Sequence, residues 1–161
     1  MDRVFCPWRY AYITEPRSRP EDCVLCAVGS ADRARDSDGL VVHRAQHHFI
    51  VMNLYPYTSG HVMIVPYRHV PRLVELTEDA LHELVRLTSR AEVVLEQVYR
   101  PDGLNVGLNI GRAAGAGIAE HLHVHVVPRW AGDSNFMTVT GETRVLPEHV
   151  QESWRKLEGR F

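Results

Sequence analysis

The sequence predicts one globular domain that mixes short β-strands with one long α-helix. Three observations carry this. The chain has 161 residues and 18.3 kDa, the size of a single hydrophobic core. A helical repeat runs from Thr77 to Arg100. Around it lie β-branched, apolar segments too short to be anything but strands.

In chain order, residues 1–22 hold Phe5, Trp8, Tyr10, Tyr12, Pro16 and Pro20 and predict an N-terminal arm followed by a loop. The polar run GSADRARDSDG (29–39) predicts a surface loop. LVVHRAQHHFIV (40–51) predicts two short strands with a turn near Ala45–Gln46. YPYTSG (55–60) is a connection. His61–Val65 is a strand that Pro66 ends.

The helix opens on Thr77 as cap, with Glu78 and Asp79 where the helix dipole favours them. Leu81, Leu84, Val85, Thr88, Ala91, Leu95 and Val98 are its expected apolar face, and its length is roughly 36 Å. Pro101-Asp102-Gly103 stops it. Leu104–Ile110 and His121–Val127 predict further strands, with a small-residue loop, 111–117, between them. Pro147–Phe161 predicts a terminal helix with Val150, Trp154 and Leu157 inward. Neither a repeat nor a linker divides the chain, so 1–161 is expected to be one domain.

Composition narrows the function. Eighteen basic against twenty acidic residues give a net charge of -2, which argues against a nucleic-acid binder built on a basic surface. No apolar run spans a bilayer, and the N-terminus lacks a signal-peptide core, so a cytoplasmic protein without membrane partners is expected. Three cysteines are poor material for a disulfide framework, but Cys23 and Cys26 form a C-x-x-C pair.

The ten histidines carry the chemistry. HLHVHVV (121–127), read as a strand, puts His121, His123 and His125 on one face and Leu122, Val124 and Val126 on the other. An exposed histidine-rich strand is the bland alternative. Strict alternation beside a glycine-rich loop is hard to explain by packing, because each buried imidazole needs a hydrogen-bond partner. A neutral imidazole is a nucleophile for phosphorus, provided its other nitrogen is held by an acceptor. Neighbouring imidazoles can polarise the phosphate or assist the leaving oxygen. The loop GRAAGAG can offer backbone N–H groups to phosphate, although a plain turn explains it equally well. C-x-x-C alone reads as coincidence, redox pair or half of a metal site. His43, His47, His48, His82 and His149 read as surface or strand-edge residues.

HLHVHVVPR resembles the motif of the histidine-triad (HIT) family. The likeness extends through MNLYPYTSGHVMIVPYRHV (52–70), the long helix and NVGLNIG (105–111), covering about 40–130 as a HIT core. RWAGDSNFMTV (129–139) further resembles the diadenosine-tetraphosphate phosphorylase-like members from actinobacteria. The resemblance implies an α+β fold with an antiparallel sheet, a long helix, a C-terminal helix and a homodimer. It implies cleavage of dinucleoside polyphosphates at the α-phosphorus through a nucleotidyl-histidine, by hydrolysis or by phosphorolysis with inorganic phosphate. A nucleoside phosphoramidate or adenylate hydrolase is one alternative. A nucleotide-binding regulatory module with vestigial catalysis is another.

By position, the resemblance makes His123 the nucleophile, with His125 contacting the phosphates and helping the departing group, and His61 supporting the site. Asn53 takes the ribose position. Asn109 and the backbone of Gly115, Ala116, Gly117 and Ile118 take the phosphate site. Gly117 stands where family members usually carry Ser or Thr, which puts the rate and the preferred leaving group in question. The zinc-bearing branch of the family has ligands at the positions of Cys23, Cys26, His69 and His121, which implies a structural zinc.

Overall fold

The computed structural model describes residues 23–133 and 147–161. The N-terminal arm and the part of 129–139 beyond Asp133 lie outside the described residues.

Among the described residues, five strands form one antiparallel sheet in the order β1-β2-β3-β5-β4: β1 Val41–Arg44, β2 His48–Met52, β3 Val62–Pro66, β4 Gly103–Leu108 and β5 Val124–Arg129. The β1–β2 turn falls at the expected place. All five residues of β2 are buried, and Phe49 and Ile50 are wholly enclosed. Pro66 closes β3, opposite His48 of β2.

Helix α1, Val24–Ser30, precedes the sheet. The run expected to be a loop (29–39) is instead largely helical: it holds the end of α1, a 3-10 turn at Arg33–Arg35 and one α-turn at Asp36–Gly39. Asp32 caps the 3-10 turn by accepting from the Ala34 N–H. The Arg44 guanidinium, paired with Asp36, donates to the Val28 and Gly29 carbonyls at the end of α1. A Cβ on Gly29 would stand 2.9 Å from the Phe49 ring, so only glycine lets α1 lie this close to β2. These contacts fix the position of α1 against the sheet.

The long helix α2 is Glu78–Tyr99, with the Thr77 hydroxyl accepting from the Ala80 N–H as expected. Its buried face is Ala80, Glu83, Leu84, Leu87, Ala91, Val94 and Leu95. Val85, expected inward, is 68% exposed. The helix is rotated so that a carboxylate, Glu83, faces in. That carboxylate caps the β1–β2 turn, accepting from the Gln46 and His47 N–H groups and from His48 Nδ1. His48, expected as a surface or strand-edge residue, is buried at the start of β2.

Helix α3, Val150–Leu157, packs against β1, β2 and α2. Leu157 is fully buried, and the Trp154 indole donates to the Val41 carbonyl. Both agree with expectation. The residues 121–127 are not one strand. Pairing begins only at Val124; the Leu122 N–H bonds the Val70 carbonyl at 2.7 Å instead of a ladder partner. Among the described residues, no helix is long and apolar enough to cross a membrane.

Candidate active site and metal centre

His61 immediately precedes β3 and His125 lies on β5, with Met63 opposite His125 in the ladder. His61 Nε2 and His125 Nδ1 are 3.0 Å apart. The His123 ring meets the His125 ring edge-on, centroids 4.8 Å apart. Three of the predicted site residues thus form one cluster, and His61 and His123 are buried within it.

The hydrogen bonds assign the tautomers. His123 Nδ1 donates to the His121 carbonyl at 2.8 Å, which leaves the Nε2 lone pair for chemistry. The Tyr57 backbone N–H donates to His61 Nδ1 at 3.1 Å, so the His61 hydrogen sits on Nε2. That hydrogen points to His125 Nδ1, so His125 carries its own hydrogen on Nε2. The Asn53 carboxamide oxygen accepts from the Tyr55 N–H, and its nitrogen stands 3.5 Å from His61 Nε2, too far to displace the closer His125 contact.

Burial pushes the His61 imidazole well below its ordinary 6.5, and the neighbouring His125 and His123 push the same way. His123 is also lowered by burial, against the opposing effect of the His121 carbonyl. Both are neutral at pH 7, the form a nucleophile needs.

The second cluster lies behind His121. Cys23, at the N-terminus of α1, and Cys26, in its first turn, converge with His69 and His121 so that all four ligand atoms lie within 4.8 Å of one another. Cys26 Sγ is 3.1 Å from His69 Nδ1 and 3.4 Å from His121 Nδ1; Cys23 Sγ is 3.3 Å from His121 Nδ1. A tetrahedral zinc with ordinary bond lengths spaces its sulfur and nitrogen ligands roughly 3.5 Å apart. Burial, with Cys23 beside it, pushes the Cys26 thiol up to about 11, and burial lowers His121 to about 4. A divalent cation offsets the first and binds the neutral imidazole of the second. The far nitrogen of His121, Nε2, donates to the Pro66 carbonyl at 2.8 Å, the outer contact that orients a metal-bound imidazole. The donor set fits zinc.

The HIT domain family model matches residues 34–132. The chain belongs to the HIT domain family. An AP-4-A phosphorylase from Mycobacterium tuberculosis is 44% identical over 98% of this chain and 83% of its own length. A Zn-bound histidine triad family protein from Mycobacterium smegmatis superposes with a TM-score of 0.68 at 25% identity, over 88% of this chain and 94% of that one. A hypothetical histidine triad nucleotide-binding protein from Sulfolobus tokodaii gives a TM-score of 0.66 at 26% identity, over 86% and 91%.

The remaining HIT residues lie on the β4–β5 connection. Asn109 follows β4 and is half-buried. Arg112–Ala114 make a 3-10 turn that Gly115 ends in the left-handed conformation. Ala116 is buried, while Gly117 and Ile118 are half-buried, with Ile118 packed on the core.

Two contributors escaped the sequence analysis of this HIT chain. Tyr57 stacks its ring on His61, centroids 4.9 Å apart, and supplies the N–H that sets the tautomer. Tyr99 braces the turn before His61: a Cβ on Gly60, at φ +78, would meet its ring at 2.7 Å. YPYTSGH contains the first contributor, but nothing in its composition shows an aromatic folding back over a histidine four residues on. The second is a contact across the fold, between α2 and a loop.

Proposed function

We propose that this HIT protein is an enzyme that cleaves dinucleoside polyphosphates such as diadenosine tetraphosphate at the α-phosphorus, through a nucleotidyl intermediate on His123. The observation that carries this is the 2.8 Å bond from His123 Nδ1 to the His121 carbonyl, which aims the ring and reserves Nε2. In the first step the Nε2 lone pair forms a P–N bond and the bridging P–O bond breaks, its electron pair leaving with the departing nucleotide. In the second, an oxygen of phosphate or water forms a P–O bond at the same phosphorus, the P–N bond breaks with its pair returning to Nε2, and any proton on the attacking oxygen passes to solvent. His125 contacts the phosphates, Asn53 the ribose, and Asn109 with the 115–118 backbone holds the phosphate chain.

Phosphorolysis is favoured over hydrolysis, because the M. tuberculosis relative is a phosphorylase by name and near full length. The cation that serves inorganic phosphate is Arg112, exposed on the loop. Arg129 is committed to Asp133 and to Asn105. Incubation with diadenosine tetraphosphate, with and without phosphate, tests the reading. ADP plus ATP in phosphate supports phosphorolysis; AMP plus ATP regardless of phosphate makes the protein a hydrolase; an intact substrate refutes the reading.

Cys23, Cys26, His69 and His121 would hold a structural zinc, since four protein ligands leave no position for water. Bound there, it supplies a rigid tie between α1 and the backbone that carries His123. Its thiol ligands suit a reducing, cytoplasmic compartment. A homodimer is supported by β4, an edge strand with Val106 44% exposed and, among the described residues, one side of its ladder open to a second copy.

A further inference from the structure

The geometry points to Tyr99 as a positioning residue: its ring, clamped by the C-terminal helix, sets the spacing between His61 and His125. The inference rests on the nucleotidyl-transfer reading above and adds to it a residue that acts only through another. It starts from the place of His61 in the chain. Pairing of β3 with β2 and β5 begins at Val62. His61 lies one residue outside the ladder. Its carbonyl accepts from the Asn53 N–H at 3.0 Å, and its N–H donates to the Thr58 carbonyl at 3.3 Å. The second bond lies within the turn itself, so the placement of the turn 57–60 decides where the imidazole stands.

Two elements carry the His61–His125 pair, and both meet Tyr99. On the side of His61, Gly60 has φ +78, and a Cβ there would stand 2.7–3.1 Å from three carbons of the Tyr99 ring. The ring therefore lies on the Gly60 backbone, where only glycine fits. On the side of His125, Trp130 follows β5 and meets the Tyr99 ring edge-on, centroids 6.4 Å apart. The two sides are also tied to each other, since the Thr58 hydroxyl donates to the Pro128 carbonyl of β5 at 2.7 Å.

The ring itself is held from the far side. Tyr99 ends α2, and its hydroxyl donates to Glu148 Oε1 at 2.9 Å. The same oxygen accepts from Ser153 Oγ at 2.5 Å, and the other carboxylate oxygen pairs with Lys156. The Lys156 ammonium also stands 5.6 Å from the centroid of the Tyr99 ring, within cation–π range. Burial raises the pKa of Glu148, but the bonds from Lys156, Ser153 and Tyr99 outweigh it, so the group is an ionised acceptor at neutral pH. Ser153 and Lys156 belong to α3. The C-terminal helix thus grips the tip of the ring while α2 holds its root.

The tolerance is small. His61 Nε2 and His125 Nδ1 are 3.0 Å apart. A nitrogen-to-acceptor hydrogen bond is largely lost beyond about 3.5 Å, so a retreat of His61 by about half an ångström releases His125. Without the ring, Gly60 has open space beside it and carries His61 into it. A misplacement of about 1 Å in a catalytic constellation costs up to about a hundredfold in rate. Tyr99 acts on the reaction through Gly60 and His61, and the helix α3 enters the catalytic scaffold through Tyr99.

The test compares the wild type with Tyr99→Ala, Tyr99→Leu and Tyr99→Phe on diadenosine tetraphosphate, with rates taken per folded molecule below the unfolding transition of each. Tyr99→Ala should lower kcat to between about a tenth and about a hundredth, with KM changed by less than about threefold. Tyr99→Phe keeps the flat face on Gly60 and should restore kcat to within about threefold of the wild type. Tyr99→Leu covers the case of an alanine variant that does not fold; it fills space without a flat face and should lose at least about fivefold. Nitrogen-15 NMR of histidine-labelled protein reads the cause without turnover: in the alanine or leucine variant the His61 and His125 ring nitrogens should shift, while those of His69 and His121 stay in place. A kcat per folded molecule within about twofold of the wild type in the alanine and leucine variants, or unmoved His61 signals, overturns the inference. If the wild type leaves diadenosine tetraphosphate intact, the nucleotidyl-transfer reading fails, and the NMR comparison still decides whether Tyr99 positions His61.

Discussion

His121 faces two ways: its carbonyl accepts the Nδ1–H of His123 at 2.8 Å, and its ring closes on the thiols of Cys23 and Cys26. The proposed metal ligand and the proposed nucleophile are thus joined by one hydrogen bond. Whatever holds the His121 ring also holds the acceptor that sets the His123 tautomer.

The first prediction concerns that join. Gently purified protein should contain about one zinc per chain. A structural zinc in a small domain is worth on the order of 10 kcal/mol, and each kcal/mol shifts Tm by about 2–4 °C at this size. Cys23→Ser or prolonged chelation should therefore lower Tm by more than about 10 °C in calorimetry. Activity should fall only in step with folded protein. Rapid, reversible loss of activity at unchanged Tm is the behaviour of a catalytic metal and would contradict the assignment.

Glu83 is predicted to matter for stability and not for chemistry. Its buried carboxylate satisfies two N–H groups of the β1–β2 turn and His48 Nδ1, while His48 Nε2 has no hydrogen-bond partner among the described residues. Glu83→Ala leaves those donors stranded, at a cost of about 3 kcal/mol. Urea unfolding should show this loss with KM unchanged. A loss below about 0.5 kcal/mol would mean that water replaces the carboxylate.

Stability should fall as pH drops below about 6.5. Burial lowers the pKa values of His43, His48 and His61. The unfolded chain then takes up protons near 6.5 that the folded chain refuses. The stabilisation is complete above that value and is lost as pH falls towards the folded pKa values. Glu83 does not add to this window. Burial raises its pKa, but the bonds from His48, His47 and Gln46 outweigh that, so its contribution is lost only at more acid pH. Unfolding free energies at about pH 7 and about pH 5.5 check the sign. Greater stability at the lower pH would contradict it.

Much of this was legible in the sequence because it is periodic or local. The Thr77 cap, the β1–β2 turn, the inward Leu157 and the C-x-x-C pair come from spacing, while His69 and His121 as the partners of that pair came from the family resemblance. What was not legible depends on contacts across the fold. Val85 fits the helical repeat as well as Leu87 does; the buried Glu83 decides between them by turning α2 towards the β1–β2 turn. HLHVH alternates like a strand from its first residue, but the Leu122 N–H goes to Val70 and the His121 ring to the cysteines, so ladder pairing waits for Val124. The polar run 29–39 reads as loop, since its helical turns are held by Arg44 and Asp32 and not by an apolar face. Tyr57 acts through its backbone N–H, which no residue type announces.

The central claim is that His123 carries the nucleotide. Rapid alkaline quench during turnover of diadenosine tetraphosphate, followed by peptide mass spectrometry, measures it directly. The account predicts an added AMP on the peptide and residue of His123, and no adduct in His123→Ala, with kcat down by at least about a thousandfold and nucleotide binding largely kept. An adduct on another residue, or near-normal turnover by His123→Ala, would contradict it.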